Sequence, residues 1–319
     1  MGEFLGALGQ KLAERWLTLL VLPGALFLAT ATAAHTLGHS HALDWSRLTE
    51  QIARWTRAPA ATTVGGQVVL LGTVLAAAAV VGLAAQSLGT LAQRAVLATD
   101  WYAWPRPLRQ WARGRVAHRR ARWTAAAHRY RQQRETDAHT LARTGRRADP
   151  AARRAAYAAM QRIANEEPDR PTWSGDRVHA AALRLERDHH LDLTVLWPHL
   201  WLVLPDTTRT EITTAEQALT RAATLSGWAL IYAPLTVWWW PAAPITVALA
   251  LTSRYRVRSA TAAYAQLLEA AARLHATDLA AQLGIAHAGP PDPTLGDALT
   301  QQLRLRGPQP PASGGTTAH

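Results

Sequence analysis

The first residues in this chain whose types and spacing could do chemistry are three histidines at the end of an apolar run, in "HTLGHSH". His35 and His39 stand at i, i+4, which on a helix puts two imidazoles on one face. With His41 they form a candidate zinc or copper site through ring nitrogens. The chain has no Cys, which excludes thiolate ligands, disulfides and thiol nucleophiles. No clear fourth ligand accompanies the three, and a solvated loop is the competing reading. His189-His190 beside Asp188 and Asp192 is a second cluster, although adjacent histidines at a helix end point apart. No cofactor is expected. The chain has no P-loop, no G-x-S-x-G elbow, no H-E-x-x-H and no G-x-G-x-x-G in a strand–helix setting. Acidic residues such as Glu166, Glu167 and Asp169 fall in an expected turn, where they read as a solvated charge run. Catalytic residues are therefore expected to be none, and the protein non-enzymatic.

Two further constellations concern transport and binding. Gln86, Thr90 and Gln93 recur at i, i+4, i+7 near the end of an apolar stretch, a polar line that could face a pore in a symmetric oligomer or pack on a neighbour. Upstream, small residues at Gly72, Ala76 and Ala79, and at Ala78 and Gly82, permit close helix contact. From Arg106 to Arg134 there are ten arginines and no acidic residue. Trp111, Trp123 and Tyr130 are interleaved, a mixture that can neutralise phosphates and stack bases. These arginines follow directly from an apolar span, where anionic lipid headgroups attract the same charge, so lipid is preferred and no nucleic-acid partner is expected.

The elements that must position these residues follow from gaps in the charge. The chain has 319 residues, 49% of them hydrophobic, and 34 Lys+Arg against 22 Asp+Glu. Every basic residue except Lys11 is arginine. Between Arg15 and Asp44 no charged residue occurs, and Trp16–Ala34 has about the 20 residues a bilayer-spanning helix needs, with Pro23-Gly24 a kink. A cleaved signal peptide ending near "ATATAAH" rivals this first span; an uncleaved span is expected. Gln67–Leu88 predicts a second span. Ala222–Trp240 predicts a third and Pro244–Tyr255 a fourth. Apart from Arg254 at the end of the fourth, none of the four carries an Asp, Glu, Lys, Arg or His, which argues against an intramembrane enzyme or a proton-coupled transporter.

The link between the last two spans is "WWWPAAP". Indoles prefer the headgroup level and prolines break helices, so Trp238, Trp239 and Trp240 predict the tip of a membrane hairpin, with Tyr255 a further interfacial anchor. The returning arm of twelve residues is short, roughly 18 Å against roughly 30 Å of hydrocarbon. Thinning and snorkelling by Arg254, Arg256 and Arg258 would close the difference; a re-entrant arm is the alternative. The segment His35–Gly66 carries three arginines against Asp44 and Glu50. The arginine-rich middle therefore faces the cytoplasm by the positive-inside rule, with both termini, while that loop and the tryptophan tip face outward.

The remainder reads as helical. The second span is expected to run on to "WPRP", followed by a long basic helix, a turn at "GRRADP", a helix from Pro150, a break at "PDRP", and a helix from Trp173 capped by Thr172 or Ser174. "LTVLWPHLWLVLP" is too short to span and reads as buried or interfacial. "TTAE", Thr213 to Glu216, predicts a capping box opening the third span. Tyr264, Leu267, Leu268, Ala271, Leu274, Leu279 and Leu283 form a packing stripe ending at a Gly284 cap, and Leu295–Arg306 a last helix. The expected fold is all-α, with four transmembrane helices as two hairpins. The segments are 1-104 (N-terminal helix and spans 1-2), 105-220 (basic cytosolic helical domain), 221-257 (hairpin 3-4), 258-306 (cytosolic C-terminal helices) and 307-319 (disordered tail).

Three ordered blocks, "RPTWSGDRVHAAA", "LDLTVLWPHLWLVLP" and "AYAQLLEAAARLHATDLAAQLGI", with a membrane hairpin before the last, resemble a family of bacterial, often actinobacterial, integral membrane proteins that has no established activity. The resemblance covers roughly Arg170 to Ile285 and implies topology. Its Pro-Thr-x-x-Gly block often continues with Asn, where this chain has Asp176. The reading that follows is a homo-oligomeric, multi-pass protein of the bacterial plasma membrane forming an ion channel or pore with a cytosolic regulatory domain. Its layout of two spans, a helical region, two spans and a tail is shared with bestrophin-type channels by arrangement alone. The alternative is a membrane-anchored scaffold or sensor whose helical domain binds an unidentified cytosolic ligand or protein. Anionic lipid headgroups are a partner under either.

Overall fold

The computed structural model describes residues 21–57 and 63–305. Among the described residues the secondary structure is helical: α1 (Leu22–Leu37), α2 (Trp45–Thr56), α3 (Val64–Leu97), α4 (Arg106–Thr144), α5 (Pro150–Gln161), α6 (Trp173–His189), α7 (Leu193–Val203), α8 (Asp206–Tyr232), α9 (Ala242–Gln282) and α10 (Pro293–Leu305). Short 3-10 turns at Trp101–Ala103 and Ala233–Val237 complete the set. The chain divides into two compact units. The first comprises Met1–Arg94 with Leu219–Val257, and the second Ala95–Ala218 with Arg258–His319. The expected start of the first span at Trp16 and the tail Gly307–His319 lie outside the described residues.

The first unit is packed through its smallest residues. On α3 the buried positions are Ala78, Gly82, Ala85 and Gly89, successive steps of four, three and four along one helix face. A Cβ on Gly24 of α1 would fall on the Ala78 carbonyl, and one on Gly227 of α8 on the Ala85 carbonyl. At Gly89 a Cβ would lie 2.8 Å from the Thr224 Cα. Helices α8 and α9 are pinned by serines: Ser226 and Ser253 hydroxyls lie 2.6 Å apart, and Ser253 donates to the Ala222 carbonyl at 2.8 Å. Among the described residues Trp228 and Tyr232 bring bulkier groups into a buried cluster with Ala85, joined by Phe27 edge-on to Tyr232. The Gly72–Ala76–Ala79 line is not part of this packing; Gly72 has open space around it. Large apolar side chains point outward instead, among them Val68, Val69, Leu71, Val80 and Leu83 of α3 and Leu230, Val247 and Leu251 of α8 and α9. Among the described residues α3 is the one helix long and apolar enough by itself to cross a membrane, and 17% of its apolar window is buried.

The tryptophan stretch is a turn between antiparallel partners. Helix α8 tightens into the 3-10 turn, the Trp238 and Trp239 amides both bond the Leu235 carbonyl, and α9 begins at Ala242. Pro244 sits in the first turn of α9, where its missing N–H would have no partner in any case. The returning arm does not stop at Tyr255. Helix α9 continues unbroken for 41 residues to Gln282, roughly 60 Å at 1.5 Å per residue.

The second unit has a conventional leucine core. Leu185, Leu191, Leu196, Leu200, Leu204 and Ile212 pack against Ala271, Ala272, Ala276, Leu279 and Ala280 of α9 and Leu295, Leu299 and Leu303 of α10. Of the expected stripe on α9, Leu274 is 70% exposed; Ala272 and Ala276 hold the face it would need. Helix α7 keeps Pro198 inside its 11 residues and is too short to span. Two boundaries differ from expectation. Helix α3 ends at Leu97, before the "WPRP" breaker, because Ala98 turns to positive φ. Helix α8 opens at Asp206, after Pro205, with an acidic residue in its first turn, which favours the helix N-terminus. "TTAE" therefore lies inside α8, and the Thr213 hydroxyl bonds back to the Arg209 carbonyl at 2.7 Å instead of capping.

Candidate functional site

The block "PDRPTWSGD" folds into a clasp around one carboxylate. Thr172 caps α6 by accepting the Gly175 amide at 3.0 Å, which selects it over Ser174 as the cap. Its hydroxyl also donates to the Val96 carbonyl, and the Arg170 guanidinium donates to the Ala98 and Thr99 carbonyls. These bonds satisfy the carbonyls that the end of α3 leaves open. Gly175 is required because a Cβ there would press on the Leu97 carbonyl.

Asp176 lies at the centre, 5% exposed. Its Oδ1 accepts the Asp169 amide at 3.0 Å and the Arg170 amide at 2.7 Å, and its Oδ2 accepts the Arg119 guanidinium at 2.5 Å. Burial pushes the Asp176 carboxyl above its ordinary range, against the opposing pull of the Arg170 amide and Arg119. Arg119 also donates to the Ile163 carbonyl, and the Trp123 indole to the Ala164 carbonyl, so α4 is tied to the same turn. Glu166, Glu167 and Asp169 are not a free charge run. Glu166 pairs with Arg187 at 3.0 Å, Glu167 with Arg120 at 2.8 Å, and Asp169 with Arg120 at 3.6 Å. His179 stands 3.9 Å from Asp169; burial and the neighbouring Arg170 push its pKa down. The clasp is an interlocked set of satisfied groups, and no nucleophile–base pair occurs in it.

A second network ties α6 to α9. Arg184 Nε lies 3.2 Å from both Glu269 carboxylate oxygens and its Nη2 2.5 Å from Oε2, while Arg273 approaches Oε1 at 2.9 Å. The Arg184 bond holds the Glu269 carboxyl below its ordinary value.

The arginines of α4 divide by face. Arg119 and Arg120 find carboxylates in the clasp. Around the helix, Arg122 and Arg129 line a groove of about 390 Å³ shared with Arg162, floored by Ala125, Ala126, Ala159 and Ile163. Among the described residues no carboxylate pairs with Arg122, Arg129 or Arg162. Arg129 and Arg162 each give their Nε–H to a carbonyl of their own helix, Ala125 and Ala158, at 3.3 Å; the terminal guanidinium N–H groups of the three, over a small-residue floor, can take an oxyanion. Sequence reading marked this helix as basic, but not which arginines remain unpaired; that depends on where the acidic turn lands.

The other expected sites separate. Helix α1 ends at Leu37 and Gly38 takes positive φ, so His35 and His39 do not share a helix face; His41 Nδ1 sits 2.9 Å from the Ser40 hydroxyl. His189 Nδ1 meets the Pro291 carbonyl at 3.0 Å, His190 meets Asp297 at 3.1 Å, and Asp192 meets Arg304 at 2.6 Å. Each is spent on docking α10. Among the described residues no group of three His, Asp or Glu side chains is placed to hold a metal ion. Gln86 and Thr90 are exposed and Gln93 half-buried, flanking the small-residue face of α3; the Thr90 hydroxyl bonds the Ser87 carbonyl. Of the expected anchors, Trp238, Trp240 and Tyr255 are exposed, whereas Trp239 is half-buried and its indole N–H donates to the Ala42 carbonyl at 3.0 Å. No family model, curated protein or solved structure matches the chain.

Proposed function

We propose that this chain is a four-span protein of the bacterial plasma membrane, both termini cytoplasmic, that works as a membrane-anchored scaffold or sensor: its basic helical unit receives an anionic ligand or partner. Support for the membrane half is the inverted packing of the first unit. In water, large apolar side chains gather inside, at about 25 cal/mol for each Å² buried. Here glycine, alanine and serine line the contacts while Val68, Val69, Leu71, Leu83, Leu230 and Leu251 face out. That arrangement suits helices in lipid, where tail-facing leucines cost nothing and close backbone approach supplies the attraction. Helix α3 meets the length requirement alone; α1, α8 and α9 join the bilayer because they pack on its buried face or on one another. Orientation rests on the arginine distribution.

The binding role is carried by the unpaired arginine groove of α4 and α5. Anionic lipid headgroups and other phosphorylated ligands share the chemistry it would recognise. The absence of cysteine makes topology directly testable by single substitutions. Ser40→Cys and Trp240→Cys are expected to react with an impermeant maleimide in intact cells, and Gly145→Cys and Ala288→Cys only after permeabilisation. Labelling of Gly145→Cys from outside would overturn the topology. Loss of phosphate-vesicle binding in Arg122→Ala/Arg162→Ala, with folding retained, tests the groove; unchanged binding refutes it.

A second reading, a homo-oligomeric ion channel, is favoured by one observation. Gln86 and Thr90 are polar side chains exposed toward the C-terminal end of a mostly apolar helix, beside its packing face. In an oligomer they would line an axis. Flux from reconstituted, verified oligomers that changes selectivity in Gln86→Glu supports this; no flux under varied voltage and ions refutes it.

A further inference from the structure

Helix α2, "WSRLTEQIARWT", was not expected as an element, and it has no residue buried within the chain. Trp45, Leu48, Ile52 and Trp55 are spaced by three, four and three residues, so they share one face within an arc of roughly 80° at 100° per residue. Arg47, Glu50 and Arg54 occupy the opposite side. Trp45 is 74%, Ile52 47% and Trp55 46% exposed. The helix is well started: Asp44 accepts the Ser46 amide at 3.1 Å and pairs with Arg47 at 3.6 Å. A helix of 12 residues is nevertheless marginal in water, because nucleation is unfavourable and propagation has little length to recover it. Its apolar face needs a partner beyond the chain.

The neighbouring residues identify that partner. The Trp239 indole bonds the Ala42 carbonyl, two residues before the Asp44 cap, so the start of α2 and the tryptophan tip lie side by side. Trp238 and Trp240, on either side of Trp239 in the chain, are 58% and 49% exposed, and Leu43, next to Ala42, is 64% exposed. Indoles at one end of a lipid-facing bundle mark the headgroup level. We infer that α2 lies flat in the outer membrane interface, with Trp45, Leu48, Ile52 and Trp55 set roughly 5–10 Å into the headgroup–acyl boundary. Its partner is a phospholipid surface. The polar face with its two caps carries Arg47, Arg54 and Arg57 against Asp44 and Glu50, an excess of one positive charge, so binding is driven mainly by apolar burial and does not require anionic lipid.

This inference rests on the membrane reading above, and the test separates the two. Full-length protein carrying one spin label at Arg47→Cys, Leu48→Cys, Glu50→Cys or Ile52→Cys is reconstituted in phosphatidylcholine vesicles, with Val69→Cys on α3 as the span control. Positions 48 and 52 are expected to be accessible to oxygen and shielded from a water-soluble nickel complex, and positions 47 and 50 the reverse. The pattern is expected to survive added salt. If the α3 label is in lipid while 48 and 52 are open to nickel, the interfacial helix is refuted and the spans stand. Shielding of 48 and 52 from both probes, with an immobile spectrum, refutes it in favour of a second copy or another protein on this face. An α3 label open to nickel refutes the membrane reading itself.

Discussion

Replacing Glu269 by Gln removes the anion that holds α6 to α9 while keeping the side-chain shape. The carboxylate takes two nitrogens of Arg184 and one of Arg273, with side chains 16%, 20% and 39% exposed respectively. A charge-assisted bond contributes about 1.5–3 kcal/mol, and removing one partner of a fully buried pair costs about 3–5 kcal/mol. Arg184 keeps some access to water and Arg273 much more, so about 2 kcal/mol is expected. For a unit of this size that corresponds to a fall in Tm of about 4–8 °C. The pH dependence has a definite sign. Arg184 holds the folded Glu269 pKa below its ordinary value, so the stabilisation is present in full above the ordinary glutamate range and is lost as pH falls through the depressed folded value. The gap between wild type and Glu269→Gln should thus be open at pH ~7 and close below about pH 4. Tryptophan fluorescence or near-ultraviolet dichroism of the detergent-solubilised full chain reads both. A shift under about 1 °C at neutral pH, or a gap undiminished at low pH, would show that Arg184 and Glu269 contribute no net attraction.

Three other outcomes are expected. Asp176→Asn keeps an acceptor for the Asp169 and Arg170 amides but sets an NH2 donor against the Arg119 guanidinium and should cost about 1–3 kcal/mol, whereas Asp176→Ala also strands the two buried amides and should cost about 3–5 kcal/mol; thermal denaturation and amide exchange at Asp169 and Arg170 distinguish them. Gly227→Leu collides with the Ala85 backbone and should cost about 2 kcal/mol or more, while Gly72→Leu, with open space around it, should stay within about 0.5 kcal/mol; survival of monodisperse protein after heating in detergent reads both. Trp239→Phe loses the bond to Ala42 and should cost about 1 kcal/mol, with Trp238→Phe near neutral in the same assay.

Aperiodic charge gaps made the apolar segments legible in the sequence, because a helix in lipid excludes charge over its whole length whatever it packs against. The turn at Trp238–Pro241, a cap at Thr172 or Ser174 and the Gly284 stop were equally legible, since each is a local conformational preference; the structure selects Thr172. Local signals misled where two were in competition. "TTAE" has a capping pattern, but Pro205-Asp206 started the helix earlier, and a threonine already inside a helix bonds backward to a carbonyl. His35 and His39 have chelating spacing, but Gly38 ends the helix between them.

What the sequence alone determined was composition by segment: an all-α chain, apolar stretches read as four spans, of which one is long and apolar enough by itself among the described residues, and a segment, 106–134, rich in arginine. Tertiary structure decided the partners. The sequence could not show that Asp176 is closed in by two amides and Arg119, that Glu166, Glu167 and Asp169 neutralise Arg187 and Arg120 while leaving Arg122, Arg129 and Arg162 open, or that Gly24, Gly89 and Gly227 stand at helix crossings and Gly72 does not. Pairings of this kind join residues tens of positions apart. The same small or charged side chain is inert or indispensable according to which backbone arrives opposite it, and only the packed chain brings that backbone there.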